Sequence, residues 1–368
     1  MEFNAAVLHR TNDPLSVEVV RVGDLRPTDV LVRIRASGLC HTDLEVMQGQ
    51  LAYPLPIVLG HEGAGIVERV GADVTLVKPG DHVVCSWNPS CGHCYYCDRG
   101  EPILCEPYSH HQPRGHLLDG TSRMTVGGQK LHHFSVVSSH AEYCVVPETG
   151  AIPVPKEIPF DRACLIGCGV MTGVGGAARV ARIPAGSNVA VLGCGAVGLN
   201  AIQGARLQSA ERIIAIDRDP ARLALATEFG ATDLIRADEP DVVARVKALT
   251  GGRGADCVLE SAGHVDAYRL SSEITRPGGD LVWLGKVNVD RDVAFRWGSL
   301  MGEKRITRSS YGGARPRRDF PWLARLYLDG RLKLDELITM RLSLAEINLG
   351  FAAMIRGETV RAVVEFPE

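Results

Sequence analysis

The sequence predicts an α/β protein in which a β-rich domain is joined to a doubly wound parallel sheet. At 368 residues the chain exceeds what one hydrophobic core usually supports, so two domains are expected. Short runs of alternating apolar and polar residues, interrupted by prolines, fill the first half. From Asn188 onward, apolar strands alternate with helical segments, which is the pattern of a parallel sheet.

In the first half, the alternation predicts half-buried strands separated by turns such as Pro79-Gly80. The strand patterns occupy residues 30–36, 65–70, 81–84 and 141–146. This half is expected to form a partly barrel-like β domain. The character of the sequence changes near Gly173.

In the second half, apolar runs predict strands at residues 189–192, 213–216, 234–235, 258–259 and 281–284. A helix is predicted over Pro220–Phe229, because Asp219 can cap it, Pro220 suits its first turn and Gly230 can end it. The tail contains an amphipathic segment at 320–328 and a strand pattern at 361–366.

The composition argues against several classes of partner. A net charge of −3 offers no basic surface for nucleic acid, and the run Arg315-Pro316-Arg317-Arg318 is short. No charged leader precedes an apolar core, and no uninterrupted apolar run reaches the roughly 18–20 residues that span a bilayer. A cytoplasmic protein without a membrane partner is therefore expected. In that compartment, clusters among the 11 cysteines suggest metal ligands or catalytic groups.

The most specific motif is a group of closely spaced cysteines: Cys91, Cys94, Cys97 and Cys105. Four thiolates can close a tetrahedral shell around one zinc ion, leaving no open position for chemistry, so the predicted role is structural. Free thiols and an iron–sulfur cluster are the alternatives, although Glu106 stands where a proline often follows such a cluster. His93 lies within this segment and is not expected to bind the metal.

A glycine turn follows the strand pattern at 189–192. Gly193 allows a tight turn, Gly195 lets the backbone approach a pyrophosphate, and Gly198 permits close helix–strand packing. Asp217 ends the next predicted strand, where a carboxylate accepts from both ribose hydroxyls and repels a 2′-phosphate. The pattern favours NAD over NADP, and the adjacent Arg218 weakens that preference without reversing it.

Gly60-His61-Glu62, with Cys40 upstream and Cys168 downstream, offers the ligand types of an open zinc site. The residues alone do not decide the matter. Free cysteines are commonly interior, and a lone histidine is more often part of the core than a ligand. Their separations are too long for a local motif.

Taken together, these motifs resemble the zinc-dependent alcohol dehydrogenases of the medium-chain dehydrogenase/reductase superfamily over essentially the full length. Besides the cysteine segment and the glycine turn, the resemblance rests on Gly38-Leu39-Cys40-His41-Thr42-Asp43, Gly60-His61-Glu62-Gly63, Asp119-Gly120-Thr121-Ser122-Arg123, His132-His133-Phe134 and Gly167-Cys168-Gly169. It implies a GroES-like catalytic domain at 1–172 and 311–368, with a structural zinc lobe at about 88–106. It also implies a Rossmann NAD-binding domain at 173–310.

By this resemblance, Cys40, His61 and Cys168 would bind the catalytic zinc, with Glu62 outside the resting coordination. Asp43 would orient the histidine ligand and raise its basicity. Two zinc ions per chain, one catalytic and one structural, are therefore expected.

The resemblance also assigns the alcohol's proton and the cofactor to particular residues. Thr42 would take the proton from the alcohol. Val197 and Thr172 would line the nicotinamide, Arg222 would lie near the adenosine ribose, and His41 and Arg361 near the pyrophosphate.

This sequence departs from the family pattern in two ways. Glu45 stands where a histidine often ends the proton relay, so protons would leave through Glu45 or through water. Glutathione-dependent formaldehyde dehydrogenases carry an acid and an arginine at the pocket rim, where ungapped counting places Leu51 and Ser109 here. With Trp87 and Phe134 also at pocket positions, an apolar cleft is expected.

The expected function is reversible oxidation of a primary aliphatic, allylic or aromatic alcohol to an aldehyde, with hydride transfer to NAD. One alternative is a formaldehyde dehydrogenase that acts on S-(hydroxymethyl)glutathione or a similar thiol adduct. Another is a non-catalytic cofactor-binding protein on the same scaffold. The segment 113–134, which resembles that of dimeric members, and an expected edge strand at 281–284 favour a homodimer.

Overall fold

The computed structural model describes residues 1–367 and divides into two compact units. The first comprises Met1–Cys168 and the segment from Arg315 onward, and the second is Gly169–Ala314. Both boundaries between the units lie a few residues from those expected. The first boundary falls inside a continuous helical stretch, where no loop in the sequence marks it. Thr172 therefore belongs to the second unit.

The strands are, in chain order, β1 (Glu2–Leu8), β2 (Ser16–Val22), β3 (Asp29–Gly38), β4 (Ile57–Val58), β5 (Glu62–Val70), β6 (His82–Cys85), β7 (Met124–Val126), β8 (Gln129–Lys130), β9 (His132–His133), β10 (Tyr143–Pro147), β11 (Ala151–Pro153), β12 (Asn188–Leu192), β13 (Arg212–Asp217), β14 (Asp233–Arg236), β15 (Ala255–Glu260), β16 (Thr275–Trp283), β17 (Arg305–Arg308), β18 (Ile338–Leu342) and β19 (Arg361–Glu365).

The α-helices are α1 (His41–Met47), α2 (Tyr95–Asp98), α3 (Glu106–His111), α4 (Phe160–Leu165), α5 (Met171–Gly175), α6 (Ala196–Leu207), α7 (Pro220–Phe229), α8 (Val242–Leu249), α9 (Val265–Ile274), α10 (Pro316–Leu328) and α11 (Ile347–Ile355). Two π-helical turns, Ile166–Val170 and Gly176–Ala181, flank α5.

The first unit contains two sheets. One has the strand order β8-β7-β2-β1-β4-β9 and the other the order β11-β6-β5-β3-β19-β18, with β10 also pairing to β3. The C-terminal strand β19 pairs antiparallel to β3, with Val363 opposite Gly38. The tail of the chain therefore completes the first unit. This pairing brings Arg361, at the start of β19, into the same sheet as the residues that precede Cys40.

The second unit is a parallel sheet with the order β14-β13-β12-β15-β16-β17. This is the strand order of dinucleotide-binding doubly wound sheets, whose ligands bind where the order reverses, at the carboxyl ends of the strands. Here the reversal falls between β12 and β15, and the glycine turn follows β12 directly. The predicted fold class is confirmed.

Local chemistry accounts for the helix α7, which has the predicted bounds. Asp219 caps it by accepting a hydrogen bond from the backbone N–H of Ala221 at 2.9 Å. Gly230 ends it with a φ of 112°, a left-handed conformation that favours glycine.

The expected edge strand at 281–284 is wrong. Those residues belong largely to β16, which is paired on both sides, by β15 and β17. The edge on this side of the sheet is β17, a strand with every residue exposed. Its sequence, Arg305-Ile306-Thr307-Arg308, lacks the apolar character by which strands of this sheet are recognised, because an outer strand has neighbours on only one side.

One helical stretch, Phe160–Ala181, is long and apolar enough by length and composition to cross a membrane. It carries Asp161, Arg162 and Arg179, so the apolar run is not uninterrupted. Because 78% of its apolar window is buried inside the protein, the stretch has the character of a core helix.

Candidate active site

Four chemically reactive side chains from distant parts of the sequence meet in the first unit. The ligand atoms of Cys40, His61, Glu62 and Cys168 all lie within 4.8 Å of one another. Cys40 precedes α1, His61 and Glu62 lie where β5 begins, and Cys168 lies in the π-helical turn Ile166–Val170. Such turns are frequent at functional sites. Two thiols and an imidazole are ligands that zinc prefers, so this donor set fits zinc.

Asp43 lies behind the histidine of this cluster and is fully buried. Its Oδ1 atom lies 3.2 Å from His61 Nδ1 and accepts from the backbone N–H of Gly60 at 3.0 Å. Its Oδ2 atom accepts from the backbone N–H of Cys40 at 3.1 Å. With Nδ1–H held by the carboxylate, His61 Nε2 is left to face a metal. A single carboxylate thus positions the backbone of one ligand and the ring of another.

The charges in the cluster favour a thiolate at Cys40. A hydrogen bond from the Cys168 thiol, with His61 nearby, holds the pKa of Cys40 well below its usual range. The same contact, together with burial, raises the pKa of Cys168. Metals bind the deprotonated sulfur. The lowered pKa therefore favours the metal-binding form of Cys40 even without a metal.

Glu62 and Arg361 form a buried ion pair beside the cluster. Glu62 Oε1 lies 3.3 Å from Arg361 Nη2, and the guanidinium also donates to the carbonyl oxygen of Leu39 at 3.0 Å. Burial raises the pKa of Glu62 to about 7 against the opposing charge of Arg361. The position of Glu62 outside the resting zinc coordination stays a prediction, as does contact between Arg361 and a pyrophosphate.

The helix α1 carries the predicted proton-transfer residues. Thr42 is half-buried, and its Oγ1 lies 3.9 Å from Cys40 Sγ. Glu45 is half-buried and His41 is exposed. The structure therefore brings Thr42 to the cluster, while the roles of Glu45 and His41 stay predictions.

The second cluster is formed by the cysteine-rich segment. The four sulfurs of Cys91, Cys94, Cys97 and Cys105 lie within 4.8 Å of one another, and none forms a disulfide. Cys105 is fully buried, and its sulfur accepts from the backbone N–H of Cys91 at 3.3 Å. A hydrogen bond from the backbone of Glu106 lowers the pKa of Cys94 to about 6. Four converging sulfurs fit a closed zinc site.

In the second unit, close backbone packing explains two of the three glycines in the turn. Gly193 has a φ of 86°, and a Cβ on Gly198 would lie 1.8 Å from the carbonyl oxygen of Gly193. A Cβ on Gly195 would meet nothing within 4 Å, so that position faces open space. The turn ends at the N-terminus of α6, whose backbone N–H groups favour a phosphate. Val197 lies in the first turn of this helix.

Asp217 lies at the end of β13 and connects two loops. It accepts from the backbone N–H groups of Cys194 at 2.6 Å and Asp219 at 2.9 Å. Arg222 lies 3.6 Å from Asp219 rather than against Asp217, and Thr172 is buried within α5. The geometry fits a dinucleotide, and the individual contacts stay predictions.

The four expected pocket residues differ in their surroundings. Phe134 is fully buried, with its ring centroid 5.5 Å from that of His61 in an edge-on contact. Leu51 and Trp87 are half-buried and pack against the hydrophobic cluster that contains Phe134. Ser109 is exposed on α3. The structure therefore places Phe134 beside the candidate metal site, while the pocket roles of Leu51, Trp87 and Ser109 stay predictions.

Sequence reasoning missed His140, which is fully buried with its Nε2 atom 3.9 Å from Asp43 Oδ1. No local motif marks it, because its surroundings are created by strands distant in sequence.

Two families of protein domains match the chain. Residues 26–156 match the alcohol dehydrogenase GroES-like domain, and residues 196–329 match the zinc-binding dehydrogenase domain. A curated relative, S-(hydroxymethyl)glutathione dehydrogenase of Aspergillus oryzae, is 38% identical over 99% of this chain and 96% of its own length.

Solved structures agree over the whole chain. An alcohol dehydrogenase zinc-binding domain protein from Burkholderia ambifaria has a TM-score of 0.96 and 37% identity, with complete coverage of both chains. Benzyl alcohol dehydrogenase from Acinetobacter calcoaceticus has a TM-score of 0.94 and 31% identity, also with complete coverage.

Proposed function

The chain belongs to the zinc-dependent alcohol dehydrogenases of the medium-chain dehydrogenase/reductase superfamily, and we propose that it interconverts a primary alcohol and its aldehyde. It is an NAD-dependent zinc oxidoreductase. The alcohol we propose is aliphatic, allylic or aromatic. The convergence of Cys40, His61 and Cys168 on one point, backed by Asp43, carries the proposal.

Cys40, His61 and Cys168 would hold the catalytic zinc. When bound, zinc acts as a Lewis acid that lowers the pKa of an alcohol and polarises an aldehyde carbonyl. Asp43 keeps the His61 ring oriented through the 3.2 Å contact at Nδ1. Glu62 supplies a further carboxylate within the cluster, neutralised in part by Arg361.

Thr42 is proposed to take the proton that the alcohol loses. Its hydroxyl is half-buried beside Cys40, so it can receive a proton at Oγ1 and pass it to water or toward Glu45 on the same helix.

NAD supplies the hydride acceptor, while the chain fixes the distance and orientation between substrate and cofactor. In this proposal the glycine turn and the N-terminus of α6 bind the pyrophosphate. Val197 and Thr172 line the nicotinamide.

The proposed substrate is apolar because three of the four side chains expected to line the pocket are apolar. Phe134 presents its ring to His61, and Trp87 and Leu51 pack against the same cluster. Neither Leu51 nor Ser109 carries the charge that a glutathione adduct, with its carboxylates, would need at those positions. Similarity to a benzyl alcohol dehydrogenase supports an aromatic alcohol.

A second candidate function is equally well supported by the curated relatives. The relative from Aspergillus oryzae and one from Escherichia coli, 36% identical, are named S-(hydroxymethyl)glutathione dehydrogenases. The alternative substrate is therefore a hydroxymethyl thiol, with glutathione or another small thiol as the carrier.

Comparison of kcat/KM for benzyl alcohol, medium-chain alcohols and S-hydroxymethyl thiols distinguishes the two candidates. We expect the apolar alcohols to be preferred by at least about tenfold, since a buried charge without a partner is costly. The double variant Leu51→Asp with Ser109→Arg should move the preference toward the adduct. A strong preference of the unchanged enzyme for the adduct would reject the apolar pocket.

Asp217→Gly is expected to weaken NAD binding and to relax discrimination against NADP. A charge-assisted hydrogen bond is worth about 1.5–3 kcal/mol, so the ratio of kcat/KM for NAD over NADP should fall about 10- to 100-fold. Both cofactors are titrated under steady-state conditions with one alcohol.

The control for this prediction is Asp217→Asn. The N–H groups of Cys194 and Asp219 bond to different oxygens of Asp217, and asparagine has only one oxygen, so this variant keeps one of the two loop connections while the negative charge is lost. If charge repels the 2′-phosphate, the asparagine variant also loses discrimination. An unchanged cofactor ratio in both variants would remove Asp217 from this role.

A homodimer in the cytoplasm is proposed with this function. Within residues 1–367, β14 and β17 are the two outer strands of the parallel sheet, and β17, with every residue exposed, can pair with the same strand of a second copy. Sedimentation of the purified protein tests this arrangement.

A further inference from the structure

His140 lies behind the candidate zinc site and has an unexplained orientation. Its ring is fully buried, and its Nε2 atom has no hydrogen-bond partner among residues 1–367. That atom lies 3.9 Å from Oδ1 of Asp43, the oxygen that holds His61. A buried polar atom without a hydrogen-bond partner is destabilising, so the orientation of Nε2 toward a carboxylate calls for a physical explanation.

Two serine hydroxyls determine the proton position on this ring. Ser37 Oγ lies 2.9 Å from His140 Nδ1 and 2.7 Å from Ser139 Oγ. If Ser37 donates to Nδ1, the proton of the neutral ring is on Nε2 and faces the carboxylate. The opposite tautomer would direct the Nε2 lone pair at the negative charge, which is unfavourable. The Nε2–H tautomer is therefore favoured, with Ser139 donating to Ser37.

The backbone holds the ring in place. The N–H of His140 donates to the carbonyl oxygen of Leu59 at 3.0 Å, and the carbonyl oxygen of His140 accepts from Ala6 at 2.8 Å. A Cβ on Gly60 would lie only 2.7 Å from His140 Nδ1, so only glycine fits beside the ring. The residue that precedes His61 must therefore be glycine to leave room for the His140 ring.

The loop that leads to His140 is strained. Ser135, Val136 and Ser138 have positive φ values of 51°, 60° and 61°. A left-handed conformation is costly for a β-branched residue such as Val136, and strain of this kind concentrates at functional sites. The same loop begins at Phe134, whose ring contacts His61. One strained segment therefore places two rings, Phe134 and His140, around the metal ligand.

We propose that His140 is a positioning residue for the zinc ligand His61. Its Nε2–H dipole stabilises the charge of Asp43, and Asp43 in turn fixes the ring of His61 and the backbone of Cys40. At 3.9 Å the contact is electrostatic rather than a hydrogen bond, and it acts strongly because both groups are buried. This inference rests on the proposed role of His61 as a zinc ligand.

The charged groups that face the ring are consistent with a neutral donor. Asp43, His61 and Cys40 act on it electrostatically, and Phe351 contacts it edge-on at 6.0 Å between centroids. Burial lowers the pKa of His140 to about 4, so the ring is neutral near pH 7. A neutral N–H group can support the carboxylate without adding a full charge next to the metal.

Three substitutions separate donation toward Asp43 from space filling. His140→Gln keeps an N–H near the Nε2 position, His140→Asn keeps only a group near Nδ1 for Ser37, and His140→Phe keeps only an apolar ring. Zinc affinity of the open site is measured by competition with a chromogenic chelator, with the four-cysteine site of the same chain as the internal reference.

The phenylalanine and asparagine variants are expected to bind zinc about tenfold more weakly, and the glutamine variant within about threefold of the unchanged protein. The pH at which acid releases this zinc should rise by about one unit in the first two, because the carboxylate loses its stabilising dipole. Zinc affinity in His140→Phe equal to that of the unchanged protein would overturn the proposal, as would equal losses in the glutamine and asparagine variants.

Ser37→Ala provides a second measurement if the His140 variants do not fold. It removes the hydroxyl that sets the tautomer and leaves the imidazole in place, so weaker zinc binding in the same direction is expected. Unchanged affinity would contradict the proposal. If the unchanged protein binds no zinc at the open site, the proposed function fails instead, which distinguishes the two failures.

Discussion

Replacing Cys40 by serine is expected to abolish alcohol oxidation while leaving NAD binding within about twofold of the unchanged enzyme. Serine has nearly the same shape, but its hydroxyl is not deprotonated near neutral pH and is a poor zinc ligand. Loss of a Lewis acid removes several kcal/mol of transition-state stabilisation, so kcat/KM should fall at least about a thousandfold. Steady-state kinetics and NADH fluorescence titration measure the two quantities.

The matched control is Cys164→Ser. Cys164 is a buried free cysteine of the same unit, and its sulfur donates to the carbonyl oxygen of Asp161 at 3.3 Å, a bond that a serine hydroxyl can replace. It lies outside the metal cluster, so activity should be retained. Metal analysis should show zinc content falling from two ions per chain to one in Cys40→Ser only. Full activity in Cys40→Ser would contradict the proposed ligand set.

The parts of the fold that were predictable from sequence are those with local causes. The helix α7 matched at both ends because Asp219, Pro220 and Gly230 act on their own neighbours. The glycine turn was placed correctly after β12 because the strand and the turn are adjacent in sequence. Strand β17 was missed, since an exposed outer strand is stabilised by pairing with β16 rather than by an apolar pattern.

The candidate metal site required more than local reasoning. Cys40, His61 and Cys168 are brought together by β3, β5 and a π-helical turn, so their spacing along the chain carries no signal. The ligand set was predicted from the resemblance to a family, because hydrophobic periodicity carries no information about which distant residues meet. His140 was beyond both approaches, because its importance depends on a distance to Asp43 that only the fold determines.

Removal of the structural zinc should unfold the cysteine lobe and destabilise the protein by more than about 4 kcal/mol, the size typical of losing a structural metal. The lobe has little regular secondary structure of its own. Its helix α2 has 4 residues and buries none of them, and the neighbouring α3 has 6 residues. Helices this short are not stable alone in water. Cys97→Ser should therefore lower the melting temperature and expose the lobe to limited proteolysis.

His93→Ala is the matched control, because His93 is exposed within the same lobe and lies outside the sulfur cluster. The melting temperature of this variant should equal that of the unchanged protein.

The two zinc sites should also differ in how readily chelators remove their metal. The open site, with three protein ligands, should lose zinc first and activity with it, while the closed four-cysteine site retains zinc and keeps the protein folded. A Cys97→Ser variant that melts normally with one zinc would show that packing, not metal, stabilises the lobe.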